Sequence, residues 1–490
     1  MALSGAQTGL LQSHHQRMKC RFVTFPAISA INVAAVATGA YSFTDMVNVY
    51  PRYSWVACDG AITIDANESQ QRDKSAATGH AFTKDSGDGT VTDNSDGTCT
   101  YTAPSSGTGI CYINCATDGN ATGVTCAVAY GELTALSIGQ VTSFSADLGS
   151  GAWELTVRGY GSCTGLERQK GILLVVDDYW EGVENTFGGY QWPHGIFFGW
   201  VERYRRVYQD VHTAYVEIQI VSAKTIINQG TTPDAYFSRT DTDGIVVADF
   251  EAIDAAWIFI QESGLNDKVN FWFMDDGQAC TTLKLETGKM MDVIDDVLGR
   301  TFGVVTSTKL GDIFLQGDPD IRLSKLFNQT PEFSIDEDLF QSIDFTFHYM
   351  LDVDTPADRP VSQVTLEATD GALDNIVKHW PTVLRDGTHE TVSGLICEAE
   401  ATLEVWAEKY WWKVNRHMEG SASWFLMHHV DLLTLLGWST TIRAADLSNY
   451  DLPASLGTGV YVDSINYTIN PGTGTWTGST HFLSYYDPGS

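Results

Sequence analysis

The sequence predicts a mainly β chain with one α+β insert, and three observations lead to this class. Long stretches alternate apolar and polar residues, as in Ala-Tyr-Val-Glu-Ile-Gln-Ile-Val at residues 214–221. A period of two indicates a strand with one buried and one wet face. Short strand-like segments separated by Asp-Gly and Asn-Ser-Asp-Gly turns fill residues 47–130. A helical period of apolar residues is confined to a few stretches, chiefly residues 249–263 and 289–300.

Composition and charge argue against a disordered chain and against a nucleic-acid-binding protein. The chain has 490 residues and a formal net charge of −32, and 43% of its residues are hydrophobic. That apolar content is enough for packed cores, so the chain is not predicted to be disordered. The acidic excess argues against a surface that binds nucleic acid by neutralising phosphates, which needs clustered Lys and Arg. Neither a membrane-spanning helix nor a secretory signal is expected.

Residues 47–130 are predicted to form a small antiparallel sandwich. Its turns fall at residues 85–89 and 93–98, between short alternating segments. The Asp-rich turns do not form an EF-hand loop, because no Glu follows at the twelfth position. The stretch Thr100-Tyr101-Thr102-Ala103-Pro104-Ser105, with residues 106–109, resembles the strand and loop of bacterial immunoglobulin-like modules. This resemblance implies an Ig-like β-sandwich.

The nine cysteines leave three interpretations open: buried thiols, one or two disulfides, or a metal site. The cluster that suggests metal is Cys99, Cys111, Cys115 and Cys126. It lacks the paired C-x2-C knuckles of zinc sites. In an extended strand, residues four apart lie roughly 13 Å from each other, too far to clasp one ion without a bend. The sequence therefore predicts no metal and no other cofactor.

Two regions follow the sandwich. Residues 131–235 are predicted to form a barrel or a wide sheet with one wet face, because their strand-like segments are long and alternating. Residues 236–330 are predicted to form a compact α+β unit. Its first helix, at 249–263, carries Phe250, Ile253 and Trp257 on one face. Its second helix, at 289–300, places Met290 in the core, and short strands follow at 303–305 and 312–315.

Residues 331–490 are predicted to contain strands and one long helix. The helix is expected at residues 393–414, with Arg416 and His417 near its end, where positive charge is favourable. Trp411 and Trp412 are expected to pack in the core. Strands are expected at 343–348, 361–367, 423–429, 459–466 and 476–483. His428 and His429 would lie in a strand with their side chains on opposite faces, so they cannot chelate one ion.

The order of these elements, from about residue 131 to 485, resembles the hub proteins of phage tail tips and baseplates and of related contractile injection machines. Three stretches carry the resemblance. The first is Asp249-Phe250-Glu251-Ala252-Ile253-Asp254 with residues 258–264, the second is residues 399–417 with 420–429, and the third is residues 459–467 with Pro471-Gly472 and 476–480. None of these motifs is catalytic.

This resemblance implies a structural virion protein located in the tail. Each chain would contribute two tube-like β-barrels, residues 131–235 and residues 331–490 with the long helix, separated by the α+β insert. A homotrimer would then form a ring between the tail tube and the tail-tip or spike proteins, with DNA passing through without specific binding. The Ig-like module would be a decoration, and residues 1–46 an N-terminal arm. An acidic wall would repel DNA, although acidity also serves solubility alone.

One acidic and aromatic run suggests carbohydrate. It reads Asp177-Asp178-Tyr179-Trp180-Glu181-Gly182-Val183-Glu184, followed by residues 188–192. Two carboxylates on either side of a sugar, with stacked rings, form the arrangement of glycosidases. Asp178 and Glu181 would be the pair. A loop at a subunit interface or facing the lumen is the alternative, and the run contains several glycines that suit a loop.

No motif for nucleotide or serine-hydrolase chemistry is present: the chain lacks a phosphate loop, a dinucleotide fingerprint and a G-x-S-x-G elbow. Residues 159–165 come nearest to the fingerprint but have the wrong spacing. The sequence thus predicts a protein that is not an enzyme and has no catalytic, cofactor-binding or metal residues. The rival class is an extracellular adhesin or carbohydrate-binding protein, and a weaker rival is an enzyme that cleaves glycans.

Overall fold

The computed structural model describes the chain in separate stretches. These are residues 19–28, 32–33, 47–66, 79–118, 121–132, 135–147, 151–161, 163, 165–176, 186–187, 190–191, 195–208, 214–238, 251–273, 282–308, 310–316, 333–334, 340–347, 361–369, 375–379, 388–397, 399–414, 416–425, 444–446, 459–469 and 476–485.

A small two-layer sandwich follows the first strand, β1 (Lys19–Ala27). Its strands are β2 (Tyr53–Val56), β3 (Ala61–Asp65), β4 (Ala81–Ser86), β5 (Thr90–Asp93), β6 (Thr98–Thr102), β7 (Gly109–Ala116) and β8 (Val124–Tyr130). They form two sheets, β2-β8-β7-β4 and β3-β6-β5, in which only β2 and β8 are parallel. Ile64, Tyr101 and Ile113 are fully buried in its core.

A closed six-stranded antiparallel barrel comes next. Its later strands are β9 (Ser137–Asp147), β10 (Ala152–Tyr160), β11 (Lys170–Val176), β14 (Gly195–Tyr208) and β15 (Ala214–Val221), with a short hairpin of β12 (Thr186–Phe187) and β13 (Tyr190–Gln191) before β14. The order around the barrel is β1-β11-β14-β15-β10-β9, and pairing of β9 with β1 closes it. Of the two predicted alternatives for this region, the barrel is confirmed.

The strand β9 changes partners along one of its edges. Its other edge pairs with β10 over its whole length. On the changing edge, residues 137–140 pair with β1. The changeover coincides with a β-bulge at Thr142, where the β9–β10 register shifts and the Thr142 hydroxyl donates to the Thr156 carbonyl at 3.1 Å. A bulge re-aims the rest of its strand, so residues 143–147 diverge from β1 and pair on this edge with a strand near the end of the chain.

An α+β insert packs on the outside of the barrel. Its elements are α1 (Ala223–Ile227), β16 (Thr231–Thr232), β17 (Ala235–Ser238), α2 (Ala252–Ser263), β18 (Phe271–Phe273), β19 (Thr282–Leu285), β20 (Gly288–Lys289), α3 (Met290–Gly299), β21 (Val304–Ser307) and β22 (Ile313–Gln316). A capping box of Glu251 and Asp254 begins α2, and Gly264 ends it in the left-handed conformation that glycine tolerates best. The buried sides of α2 and α3 share one core with outward-facing barrel residues such as Trp200.

Inside the insert, the short strands form three small sheets. β18, β22 and β21 make a three-stranded sheet in that order, with β18 and β22 parallel. β16 pairs with β20, and β17 pairs with β19.

The C-terminal region contains a continuation of the barrel sheet, a separate three-stranded sheet and one helix. Its elements are β23 (Phe333–Ser334), β24 (Phe340–Phe347), β25 (Val361–Ala368), β26 (Ile376–His379), β27 (Thr388–Leu395), α4 (Glu400–Val414), β28 (Arg416–Phe425), β29 (Ala444–Asp446), β30 (Gly459–Ile469) and β31 (Trp476–Tyr485). The barrel sheet continues from β9 through β30, β31 and β28 to β24, and β29 joins β30 to β23. The described strands of this sheet do not close, so a second barrel stays a prediction.

The helix α4 packs its buried residues, which include Leu403, Trp406 and Trp411, against the sheet β26-β25-β27. The predicted start of this helix was wrong. Residues 388–395 form β27, which runs parallel to β25, and Gly394 has a φ of 81°, which no helix accommodates. The predicted end at residue 414 is confirmed, and Arg416 and His417, expected near that end, begin β28.

The first residues of the chain also differ from expectation. Residues 1–46 were expected to form an arm, yet Lys19–Ala27 is strand β1 of the barrel. Phe22 of β1 is 2% exposed, and its ring lies over the paired glycines Gly139 and Gly159, where a Cβ would come within 3.2–3.4 Å of it. Two neighbouring glycines thus make the space that this aromatic ring fills.

We expect Phe22→Ala to destabilise the protein by about 3–5 kcal/mol, the usual cost of removing a buried aromatic ring. Urea-induced unfolding followed by tryptophan fluorescence measures the change. Pro26→Ala, at an exposed position of the same strand, is the control and should cost less than about 1 kcal/mol. Equal and small effects of both substitutions would contradict the placement of β1 in the barrel.

Candidate assembly surfaces

The interior of the barrel is filled by side chains. One face of each strand is buried: it includes Leu155 and Val157 of β10, Leu174 of β11 and Ile218 and Ile220 of β15, all 0% exposed. Barrels of eight strands are just wide enough for side chains to fill, and six strands enclose less space. The interior of the barrel is therefore a packed core and not an open channel.

An aromatic joint attaches the sandwich to the outer face of the barrel. The rings of Tyr53 and Phe198 stack with centroids 4.0 Å apart and an interplanar angle of 4°. Phe25 meets both rings edge-on, and Trp200 meets Phe198 in the same way. Such offset and edge-to-face pairs add about 0.5–1.5 kcal/mol each beyond burial. This joint holds the sandwich to β1 and β14.

Two buried asparagines join the start of the sandwich to the insert. The Asn48 amide donates to the Phe271 carbonyl at 2.6 Å, and the Phe271 N–H donates back to Asn48 Oδ1 at 3.1 Å. Asn270 forms an equivalent pair of hydrogen bonds with Val49. The Val49 N–H donates to Asn270 Oδ1, and the Asn270 amide donates to the Val49 carbonyl. Both asparagines are at most 1% exposed. Their side chains thus replace the backbone ladder that would otherwise be needed between these two segments.

Arg52 extends this junction to a third element. It is 2% exposed, and its Nε donates to Asn270 Oδ1 at 2.8 Å. Its terminal nitrogens donate to the carbonyls of Asn266, at 2.9 Å, and of Thr125 on β8, at 3.3 Å. Each of the three nitrogens of this buried guanidinium has an acceptor, and removing an acceptor would leave a buried charged donor unsatisfied. The sandwich is thereby locked to the insert.

Asp312, at the start of β22, completes the junction. Its Oδ1 accepts from Asn270 Nδ2 at 3.0 Å, and the residue is 2% exposed. Burial raises the pKa of Asp312 to about 7, while the charge of Arg52 and the bond from Asn270 act in the opposite direction. The folded protein therefore holds this proton near neutral pH.

An open cleft of about 830 Å³ lies between the barrel and the insert. Two of its carboxylates bind neighbouring side chains of the lining: Lys224 Nζ lies 2.8 Å from Asp295 Oδ2, and the Asn228 amide donates to Asp292 Oδ1 at 2.9 Å. Burial raises the pKa of Asp295, with Lys224 opposing it. This pattern describes a structural seam between two packed units.

The chemistry proposed from the sequence falls largely outside the described residues. Asp178, Glu181, His428 and His429 all lie there, so the glycosidase hypothesis stays untested. Met290 is buried on α3, as predicted. Trp411 is 2% exposed on α4, also as predicted, and its indole N–H donates to the Val361 carbonyl at 2.7 Å.

The cysteine cluster of the sandwich consists of buried thiols. Cys99, Cys111, Cys115 and Cys126 are free and 0% exposed. Burial raises the pKa of Cys99 and of Cys115 to about 12. Thiols held in this protonated form are poor metal ligands and poor nucleophiles. Of the three interpretations, the structure supports core packing.

The buried junction was missed at the sequence level. Its signal is present in retrospect, because Asn48 stands between two valines and Asn270 between a valine and a phenylalanine. A polar residue inside an apolar run indicates a buried hydrogen-bonding role. The sequence could not pair the two runs, which lie more than 200 residues apart.

Comparison with known proteins gives structural neighbours only. No protein-family model and no curated protein sequence matches the chain. A tail protein of Neisseria meningitidis matches with a TM-score of 0.45 and 12% identity, over 71% of this chain and 92% of that one. The 43 kDa tail protein of prophage MuSo2 from Shewanella oneidensis matches with a TM-score of 0.41 and 10% identity, over 72% and 95%.

A third neighbour comes from a secretion machine. An E. coli component of the type VI secretion system, described as similar to the T4 tail proteins gp27 and gp5, matches with a TM-score of 0.41 and 6% identity, over 71% of this chain and 74% of that one.

Within the described stretches, no helix combines the length and the apolar character needed to cross a bilayer. The same stretches bring together no group of three or more His, Cys, Asp or Glu side chains able to hold a metal ion.

We expect the stability of the protein to fall as pH rises through the window set by Asp312. The folded pKa of about 7 lies above the unfolded value of about 4, so the folded state binds the extra proton between them. The stabilisation that this bound proton gives is complete below pH 4 and is lost as the pH approaches 7. Asp312→Asn mimics the protonated acid and removes this dependence.

Thermal or urea unfolding of the wild type and of D312N at pH 5, 6, 7 and 8 tests this. Relative to the variant, the wild type should lose on the order of 2 kcal/mol between pH 5 and 7, and the difference should then level off. Parallel pH profiles would show that Asp312 ionises normally in the folded protein.

Proposed function

We propose that this chain is a structural protein of a phage-like tail. In the proposed assembly, three copies form a ring-shaped hub or adaptor between the tail tube and the tail-tip or spike proteins. The observation that carries the proposal is the forked sheet: one chain builds a closed, filled barrel and continues it, through β9, into a second antiparallel sheet. The resemblance of the sequence to tail hubs over residues 131–485 points to the same role.

The filled barrel determines where a passage can lie. Because side chains occupy the interior, DNA would have to pass between chains, along a channel that only the assembled ring encloses. The net charge of −32 suits a wall that repels phosphates over a Debye length of about 8–10 Å. DNA would then pass without specific binding, and the chain would belong to the virion tail.

Two finer parts of the proposal concern the flanking regions. Residues 331–490 would close into a second barrel, so that three chains present six barrels in a ring. The sandwich of residues 47–130 would be an Ig-like decoration, and its parallel pairing of the first strand with the last supports this. The aromatic joint holds the sandwich on the barrel, and the buried junction holds it on the insert.

Sedimentation velocity and mass photometry of the purified chain test the ring. We expect a species of three times the chain mass, and negative-stain images of it should show threefold rings with a central opening. A chain that stays monomeric at micromolar concentration would contradict the proposal. A monomer that also binds glycans would favour the adhesin alternative.

A further inference from the structure

The far end of β14 is rich in arginine and tyrosine, although the chain as a whole is acidic. Its sequence is Arg203-Tyr204-Arg205-Arg206-Val207-Tyr208. All three arginines are exposed, and Tyr204 and Tyr208 are 45% and 69% exposed, among the most exposed large apolar or aromatic side chains of the described residues. Three of the 29 basic residues of the chain thus lie within six positions.

One edge of this part of β14 is free among the described strands. β11 pairs with β14 only at residues 195–200, whereas β15 pairs with it from Trp200 to Tyr208. Past residue 201, β14 has no second neighbour among the described strands. On its other side, β15 pairs with β10 from Val216 onward, so residues 203–206 lie on a free sheet edge, and only residues 207–208 and 214–215 continue as a two-stranded hairpin. We call this edge and its two-stranded end the arginine hairpin. Exposed strand edges are often protected by charge, but that need does not account for the exposed tyrosines.

Internal contacts hold this hairpin in shape. Arg205 pairs with Glu217 across the strands at 2.9 Å. Arg158 of β10 lies opposite Glu217 on the other edge of β15. Its guanidinium is 3.9 Å from the centre of the Tyr215 ring. Arg203 and Arg206 form no salt bridge within the described part of the chain. Tyr and Arg are enriched at the centres of protein interfaces, where rigid aromatic and guanidinium groups bind at low entropic cost.

The chain carries an acidic surface of complementary character on α4. Glu400, Glu404 and Glu408 lie one turn apart on its exposed face, together with Val405, which is 42% exposed. Like charges four residues apart destabilise a helix by about 0.2–0.5 kcal/mol per pair. Asp295 and Asp296 of α3 form salt bridges with Lys224 and Arg300, but no salt bridge to Glu400 or Glu408 occurs among the described residues.

We propose that the arginine hairpin of one copy docks on the acidic face of α4 of the next copy. This inference rests on the proposed ring and names the contact that would close it. Two different, complementary surfaces on one chain make a head-to-tail contact, which generates a closed ring when the rotation between copies allows it. The arginines pair with the glutamates, and Tyr204 or Tyr208 covers Val405. A chain of net charge −32 needs such a local contact to overcome its own repulsion.

Charge reversal on the hairpin is the first test. R203E/R206E leaves the Arg205–Glu217 pair intact, and R168E/K268E reverses two exposed charges elsewhere and is matched in net charge. Sedimentation velocity in 0.15 M NaCl should show at least a tenfold weaker trimer for the hairpin variant only. Unfolding midpoints establish that each variant is folded. Equal trimer stability in both variants would overturn the inference while the ring itself stands.

Charge reversal on the helix and the combination of both sets complete the test. E400R/E408R should weaken the trimer to a similar degree, and the combined swap of both surfaces should restore most of it. Failure of the combined swap to restore assembly would show that the hairpin docks elsewhere. A wild-type chain that never forms a trimer would overturn both the ring and this contact. Binding of the hairpin to DNA, lost in R203E/R206E without loss of the trimer, would also count against it.

Discussion

The architecture depends on how β9 divides its hydrogen bonds. A strand has two edges, and β10 occupies one of them along the whole of β9. The other edge is shared: β1 takes residues 137–140 and closes the barrel, and β30 takes residues 143–147 and begins the second sheet. Barrel closure and sheet continuation therefore use the same eleven-residue strand. The bulge at Thr142 is the physical device that lets one strand serve both.

The bulge also explains the sequence of β9. Gly139 and Val141 face the barrel interior before it, opposite Gly159 and Val157 of β10. After it, Phe144 faces inward opposite Leu155, so the inward positions are three residues apart at this point instead of two. A strict alternation would have turned the phenylalanine to the outside. The extra residue restores the phase, and Phe144 then packs against Phe197 with ring centres 5.4 Å apart.

The chain places its polar chemistry at joints between units. Asn48, Asn270, Arg52 and Asp312 are all at most 2% exposed, and their partners come from the sandwich, the segment just before β2 and the insert. Such a network contributes geometry more than stability, because buried charges cost desolvation energy that their partners only offset.

The sequence by itself determined the fold class and most of its elements. Period-two alternation identified β15, and apolar spacing of three and four identified α2 and α3, because each pattern reflects burial of one face of a single element. The sequence left three states open for the sandwich cysteines, and the structure shows buried free thiols. Pairing between distant segments was decided only by the tertiary structure. Neither the place of β1 in the barrel nor the hydrogen bonds between Asn48 and Phe271 can be inferred from the neighbouring sequence. The backbone groups at a strand edge are the same for every residue, so they do not specify which segment pairs with them. The start of α4 was misjudged for a related reason: Thr388–Leu395 is a strand because β25 offers it a parallel edge.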